Sequence, residues 1–311
     1  MNTYRFRRCT PEDEPALIDL FDLVFGQRRS TAQWRWKFAP RPGTHAYSMV
    51  ALDGRDTIVA HAGALELPGW YDGKPFPCVQ ICDVMVHPDH RGGMGRNNLF
   101  TLLLRTLLAS IHDTLPDSFR YGFPGQGPYL VGERAGVYRR IETAIETVLA
   151  TEAPRFTLWR TVPLAWNDAR LDRLWVRLRD EHALSLVRDA AYLGWRYADN
   201  PFHTYRLFGL RRMGQLVGWL VVRPDGERLL IVDALLPRRH VASALAAATL
   251  RQHWPDTRSV HLWLPPAWRA GVAGQSVETP VVTANMSWQC AVDTDRARQA
   301  LYYTMGDVDI F

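Results

Sequence analysis

Three glycines set among basic residues, in His90-Arg91-Gly92-Gly93-Met94-Gly95-Arg96, sit between a strand-like stretch and a strongly apolar helix-like one. Residues 78–86 read as a buried strand that enters the run through His87-Pro88-Asp89. Asn97-Asn98-Leu99-Phe100-Thr101-Leu102-Leu103-Leu104 then opens a helix reaching about His112. Strand, glycine loop and helix N-terminus together suit a pyrophosphate. Glycines let the backbone approach the anion, free N–H groups point at it, and the helix dipole favours its charge. Arg91 and Arg96 can add charge-assisted hydrogen bonds. The run lacks the Gly-Lys-Ser/Thr ending of a P-loop and the third glycine of a dinucleotide fingerprint. It also follows an antiparallel meander.

The elements that must hold this loop belong to a chain with two cores to build. At 311 residues, 47% of them hydrophobic, the sequence is long enough for two domains, each able to bury its own core. The first residues run straight into charge with no apolar leader, and no stretch approaches the roughly twenty apolar residues of a membrane span. A cytoplasmic location with no membrane partner is expected. Cys9, Cys78, Cys82 and Cys290 suit a reducing compartment as small hydrophobes, and no Cys/His set of metal-binding spacing completes them, so no metal is expected. The net charge is +5; Lys37 and Lys74 are the two lysines, which leaves 35 arginines among the 37 basic residues. No basic run with interleaved aromatics accompanies that skew, which argues against a nucleic-acid partner. Oligomeric state is not written in the sequence.

The chain reads as one pattern written twice. Ala32-Gln33-Trp34-Arg35-Trp36-Lys37-Phe38 leads through Pro40 to Tyr47, with strands over 47–52 and 57–64 around a turn at Asp53-Gly54. Tyr192-Leu193-Gly194-Trp195-Arg196-Tyr197 leads through Pro201 to Tyr205, with strands over 205–211 and 216–222 around Met213-Gly214. Trp36 answers Trp195, and Tyr47 answers Tyr205. Leu17, Leu20, Phe21 and Val24, like Leu171, Leu174 and Leu178, predict an amphipathic helix before each copy, over 12–25 and 168–182. Pro154 and Pro163 mark a linker around 151–163. The expected domains are 1–150, which carries the loop, and 151–311. The second copy's counterpart of the loop, Asp233-Ala234-Leu235-Leu236-Pro237-Arg238-Arg239-His240, keeps the strand and the proline but has no glycine. No close backbone cradle can form there. The tryptophan segments recur even where the loop does not, so they are expected to pack rather than bind.

Val86-His87-Pro88-Asp89-His90-Arg91-Gly92-Gly93-Met94-Gly95-Arg96 resembles motif A of the GNAT acetyltransferases, V-x-P-x-x-R-G-x-G-x-G before an apolar helix. The loop is one residue shorter here between Arg91 and Gly95. Tyr121-Gly122-Phe123-Pro124-Gly125, the Trp195-Arg196-Tyr197 segment with Asn200-Pro201, and Gly306-Asp307-Val308-Asp309 resemble a two-domain subgroup of that family. The resemblance implies an α/β fold of the α+β type: tandem GNAT domains, each a mixed, mostly antiparallel sheet flanked by helices, the second one degenerate. It implies acetyl-CoA or another acyl-CoA as co-substrate, its phosphates held at Arg91, Gly92, Gly93, Met94, Gly95 and Arg96. The pantetheine arm would lie where the strand through 83–86 splays from the strand through 119–123, bonded by the backbones of Met85 and Val86. A small-molecule amine is the implied acceptor.

Transfer from a thioester to an amine needs a neutral amine, a stabilised oxyanion and a proton for the leaving thiolate. The family commonly supplies that proton from a tyrosine near the end of its last helix, and Gly132 stands at that register here. Tyr129, about one helical turn upstream, is the expected substitute, with Tyr138 next. Asp83 on the splayed strand is the candidate base, relaying a proton through water, unless it is a structural carboxylate. Glu66 and His61 lie on the adjacent strand, and His61 reads as a packed core histidine. The expected function is acyl-CoA-dependent N-acyl transfer, most simply acetyl transfer. A non-catalytic acyl-CoA-binding protein, and a transferase using a longer acyl or carrier-protein thioester, are the alternatives.

Overall fold

The computed structural model describes residues 4–39, 43–92, 98–150, 157–248, 250–286 and 288–308. In chain order its elements are β1 (Arg5–Arg8), α1 (Glu14–Phe25), α2 (Thr31–Phe38), β2 (Ala46–Leu52), β3 (Ile58–Tyr71), β4 (Lys74–Val86), α3 (Leu99–Thr114), β5 (Phe119–Gly122), α4 (Gln126–Arg134) and β6 (Tyr138–Leu149). They continue with β7 (Trp159–Pro163), α5 (Arg170–Leu178), β8 (Leu184–Leu186), α6 (Ala190–Leu193), β9 (Arg206–Arg212), β10 (Gln215–Asp225), β11 (Arg228–Leu235), α7 (Val241–Ala247), β12 (Ser259–Trp263), α8 (Pro266–Arg269), β13 (Gly274–Met286) and α9 (Thr294–Ala300). Among the described residues, no helix is long and apolar enough to cross a membrane.

The chain folds into two compact units. The first takes residues 1–68, 76–142 and 281–298; the second takes 69–75, 143–280 and 299–311. A single cut at residue 150 does not reproduce this division. Apolar alternation tells which face of a strand is buried, but not which sheet the strand joins. Val281–Arg298 therefore carries no local mark of its place in the first unit.

In the first unit the strand order is β1-β2-β3-β4-β5-β13. β1–β2, β2–β3 and β5–β13 pair antiparallel, and β4–β5 pair parallel. The parallel step is what requires a crossover, and α3 supplies it. Leu103, Leu104, Leu107, Leu108 and Ile111 on one face of α3 are fully buried against Val79, Ile81 and Ala284 among others. At about 2 kcal/mol for each such side chain, that face contributes on the order of 10 kcal/mol before chain entropy is charged against it. α1 buries Leu17, Ile18, Leu20 and Phe21 and stops at Gly26, whose φ of 67° only glycine adopts readily. The segment holding Trp34 and Trp36 is the helix α2. Ser30 caps it, accepting from the Gln33 N–H at 3.2 Å while Gln33 Oε1 accepts from the Ser30 N–H at 2.9 Å.

The second unit orders its strands β6-β12-β11-β10-β9-β7. Again one pair, β11–β12, is parallel, while β6–β12, β10–β11, β9–β10 and β7–β9 are antiparallel. Its core gathers Phe208, Leu220, Leu229, Ile231, Leu245 and Leu262. The strands of each unit are thus mixed and mostly antiparallel, with helices flanking them.

Candidate functional site

The parallel pairing of β4 with β5 runs from Cys78 opposite Phe119 to Ile81 opposite Gly122, where β5 ends. β4 continues for five more residues, so Cys82–Val86 lie beyond that ladder. Met85 is fully buried and Val86 nearly so. After His87, whose N–H donates to the Val59 carbonyl, a tight turn over Pro88–His90 leads to Arg91 and the exposed Gly92. Arg91 Nε donates to the Val86 carbonyl at 2.9 Å, so this arginine braces the strand end as well as carrying charge. Gly93, Met94, Gly95 and Arg96 lie outside the described residues. Beyond them Asn98 caps the sixteen-residue α3, its side chain accepting from the Thr101 N–H at 2.8 Å. The positive end of a long helix therefore comes directly after the loop.

Asp83 is at the centre of a buried cluster. Its Oδ1 accepts from Lys37 Nζ at 2.8 Å and its Oδ2 from Arg29 at 2.5 Å. Burial alone would push its carboxyl up, but the Lys37 ammonium and Arg29 guanidinium outweigh it and hold the group well below the usual carboxylate range. A carboxylate so paired has little affinity for a substrate proton at neutral pH. Each oxygen of the Asp83 carboxylate thus faces a buried cation. Its carbonyl accepts from His61 Nδ1 at 2.9 Å, and His61 Nε2 meets Ser48 Oγ at 2.6 Å. A carbonyl can only accept, which fixes the His61 tautomer as Nδ1–H and makes Ser48 the donor to Nε2. Burial pushes the His61 imidazole down to about 4. It is a packed, neutral core histidine. Glu66 Oε2 accepts from the N–H and Nδ1 of His45.

Gly132, on α4, stands against the Tyr138 ring. A Cβ there would come within 2.3 Å of the Tyr138 Cδ2. The ring fills the space a side chain would need, which accounts for the glycine. Tyr129 on the same helix is buried, and its hydroxyl donates to the Glu133 carboxylate one turn on. Burial and that bond raise its pKa. Arg140 lies over its ring, 4.8 Å from the centroid, and the Tyr138 ring stacks with it at 6.4 Å. Sequence spacing placed Tyr129 near the glycine but had no means of placing Arg29 and Lys37 on Asp83. Lys37 did carry one signal, being one of two lysines in an arginine-rich chain. Among the described residues, no group of three or more His, Cys, Asp or Glu is arranged to hold a metal ion.

Residues 5–140 match the family model described as an acetyltransferase (GNAT) domain. A conserved protein of unknown function from Enterococcus faecalis V583, described as a probable N-acyltransferase, superposes with a TM-score of 0.71 at 16% identity, over 95% of this chain and 74% of that one. A GCN5-related N-acetyltransferase from Kribbella flavida gives 0.65 at 17% identity, over 91% of this chain and 70% of that one. The chain has the GNAT acetyltransferase fold. A tandem GNAT protein from the clavulanic acid biosynthesis pathway, solved without AcCoA, gives 0.57 at 16% identity, over 91% of this chain and 98% of that one. No curated protein matches the chain in sequence.

The second unit holds a similar buried arginine–aspartate pair. Arg188 precedes Asp189, the N-cap of α6, just as Arg29 precedes Ser30, the N-cap of α2. Arg188 bonds Asp233 on β11 at 3.0 Å and Asp307 at 2.5 Å, all three fully or almost fully buried. Tyr197 and Thr304 also donate to the Asp233 carboxylate. The turn after β11, Arg238–His240, contains no glycine, and its Arg238 N–H donates to Glu181 at 2.7 Å.

Proposed function

We propose that the chain is an acyl-CoA-dependent N-acyltransferase, most simply one that moves an acetyl group from acetyl-CoA to a small-molecule amine. The observation that carries this reading is the course of β4. Five residues outrun the β5 ladder, and the glycine-bearing sequence that follows them ends at the capped N-terminus of α3. An amide-bearing arm can complete the open strand at Met85 and Val86, as a missing strand would. Gly92, Gly93, Met94 and Gly95 would offer backbone N–H groups to the pyrophosphate, with Arg91 and Arg96 adding charge.

In the reaction the amine nitrogen attacks the thioester carbonyl carbon, the C–S bond breaks, and the thiolate takes a proton while the amine loses one. Tyr129 is our candidate donor of the first proton, with Glu133 its hydrogen-bond partner. A tandem arrangement, the second domain without a donor loop, agrees with the parallel strand pair found in each unit and with the matching arginine–aspartate pairs. One donor site per chain is expected. Acetyl-CoA titrated calorimetrically, then thiol release followed against a panel of amines, tests the proposal. Binding without turnover across a broad panel would favour a non-catalytic acyl-CoA-binding protein, a reading supported by the glycine at 132. No binding of any CoA thioester would remove the loop assignment itself.

A further inference from the structure

One hairpin end in the second unit breaks three local rules at once. β9 and β10 are joined by a two-residue loop, since Arg212 pairs with Gln215, and both loop residues, Met213 and Gly214, have positive φ, 49° and 83°. Such a loop ordinarily places asparagine or aspartate before its glycine, because a short polar side chain tolerates the left-handed region. Here it holds a methionine, 73% exposed. The Met213 N–H donates to the carbonyl of Leu158, itself 61% exposed. Among the described residues these are the two most exposed large apolar side chains.

The third rule concerns charge. Arg160 on β7 is the direct cross-strand partner of Arg211 on β9, and like charges so placed repel. Arg212 follows on the opposite face of the strand, its guanidinium 6.0 Å from the centre of the Trp159 ring. Arg177 reaches the same hairpin from α5, donating to the Leu216 carbonyl at 2.8 Å, and Arg211 donates to the Gly214 carbonyl at 2.9 Å. None of these four arginines pairs with a carboxylate among the described residues. Arg170, Arg228 and Arg258 of the same unit do, with Asp168, Asp225 and Glu227.

A methionine where asparagine fits better and an arginine facing an arginine both cost stability. Stability given up at one place marks a surface kept for another purpose. The unanswered charge says what chemistry fits it. A second copy of the chain would set arginine against arginine. A bilayer offers its charge in one plane, whereas Arg211 and Arg212 lie on opposite faces of the sheet. A single-stranded nucleic acid stacks on exposed aromatic faces, and the ring here, Trp159, is only 7% exposed. Guanidiniums anchored by backbone carbonyls suit carboxylates at fixed spacing, and Leu158 and Met213 suit an aliphatic side chain between them.

We propose that this hairpin end docks an acidic, extended segment of a partner protein, its carboxylates on Arg160, Arg177, Arg211 and Arg212 and an aliphatic side chain on Leu158 and Met213. Nothing in this surface depends on the acyl-CoA reading.

Fluorescence anisotropy with the full chain and a labelled peptide of alternating glutamate and leucine tests this, beside an all-glutamate peptide and one of alternating lysine and leucine. The glutamate–leucine peptide should bind, the all-glutamate one about tenfold more weakly, and the lysine–leucine one not at all. Arg160→Gln and Met213→Asn should each weaken that binding about fivefold. The urea midpoint should stay the same or rise in both, because the first removes a repulsion and the second fits the turn. A lower midpoint in either variant would assign these residues to the fold and overturn the proposal. So would unchanged affinity in both variants, or absent binding of the glutamate–leucine peptide. Tighter binding to phosphatidylglycerol vesicles or to oligothymidylate than to that peptide would also overturn it.

Discussion

Gly132→Ala sets two effects of opposite sign against each other. In a helix interior alanine is favoured over glycine by about 1 kcal/mol, so propensity alone predicts a more stable protein. The added Cβ, however, would lie 2.3, 2.6 and 2.7 Å from Tyr138 Cδ2, Cε2 and Cγ, far inside contact distance. The ring cannot swing aside cheaply: it is 3% exposed, stacks on Tyr129 and meets Phe100 edge-on at 6.2 Å. Overpacking of this kind costs about 1–3 kcal/mol, and contacts this short put the cost at the upper end, so the clash should win by up to about 2 kcal/mol. Gly127→Ala is the control on the same helix, since a Cβ there meets nothing within 4 Å. Urea unfolding should show a lower midpoint for Gly132→Ala and an unchanged or higher one for Gly127→Ala. Adding Tyr138→Leu should return about 1 kcal/mol or more as coupling. A Gly132→Ala protein as stable as the original would refute the claim that the Tyr138 ring fills the place of a side chain.

Gly92→Trp should leave the unfolding midpoint within about 0.5 kcal/mol of the original, because Gly92 is exposed and its Cβ would stand in open space, yet weaken CoA binding by at least about tenfold. Calorimetry showing unaltered affinity would count against the cradle. Tyr129→Phe should lower kcat about a hundredfold with CoA affinity unchanged, and full activity would remove it as the proton donor. His61 is buried neutral at about 4 against roughly 6.5 unfolded, so the unfolded chain takes the proton first as pH falls. The stability is intact above pH 6.5 and declines by about 1.4 kcal/mol per pH unit toward pH 4, for a loss of about 3 kcal/mol. His61→Gln should flatten that decline in urea midpoints taken between pH 7 and 4.5; an unaltered slope would refute it. Arg188→Met strands two buried carboxylates, Asp233 and Asp307, and should cost about 3–5 kcal/mol by the same assay, with a loss below 1 kcal/mol counting against the network.

What the sequence made legible was local. The strand–glycine–helix order around Gly92 is a short-range pattern with strong periodicity on both sides, and β4 and α3 lie where that pattern puts them. The helix over residues 12–25 was equally plain from Leu17, Leu20 and Phe21. The strand expected over 57–64 runs on to Tyr71, with Pro68 and Gly69 accommodated within β3. Long-range partners were out of reach. Nothing near Asp83 in sequence names Arg29 or Lys37, 54 and 46 residues away, so a salt-bridged aspartate and a base look the same there. Gly132 was noticed as the absence of a tyrosine; only the ring of Tyr138 gives that absence a steric cause.

The division of the chain between the two units bears on how the molecule is made. The first unit is not complete until Val281–Arg298 supplies the strand beside β5, and the second draws on Gly69–Pro75 from much earlier. A ribosome releases residue 142 long before residue 281. The emerging first unit must therefore wait with one edge of its sheet exposed while more than a hundred further residues are added. Such an edge invites wrong pairing. Expressing residues 1–150 alone would make that waiting state permanent, so the loop-bearing unit is better studied in the intact chain than as a fragment.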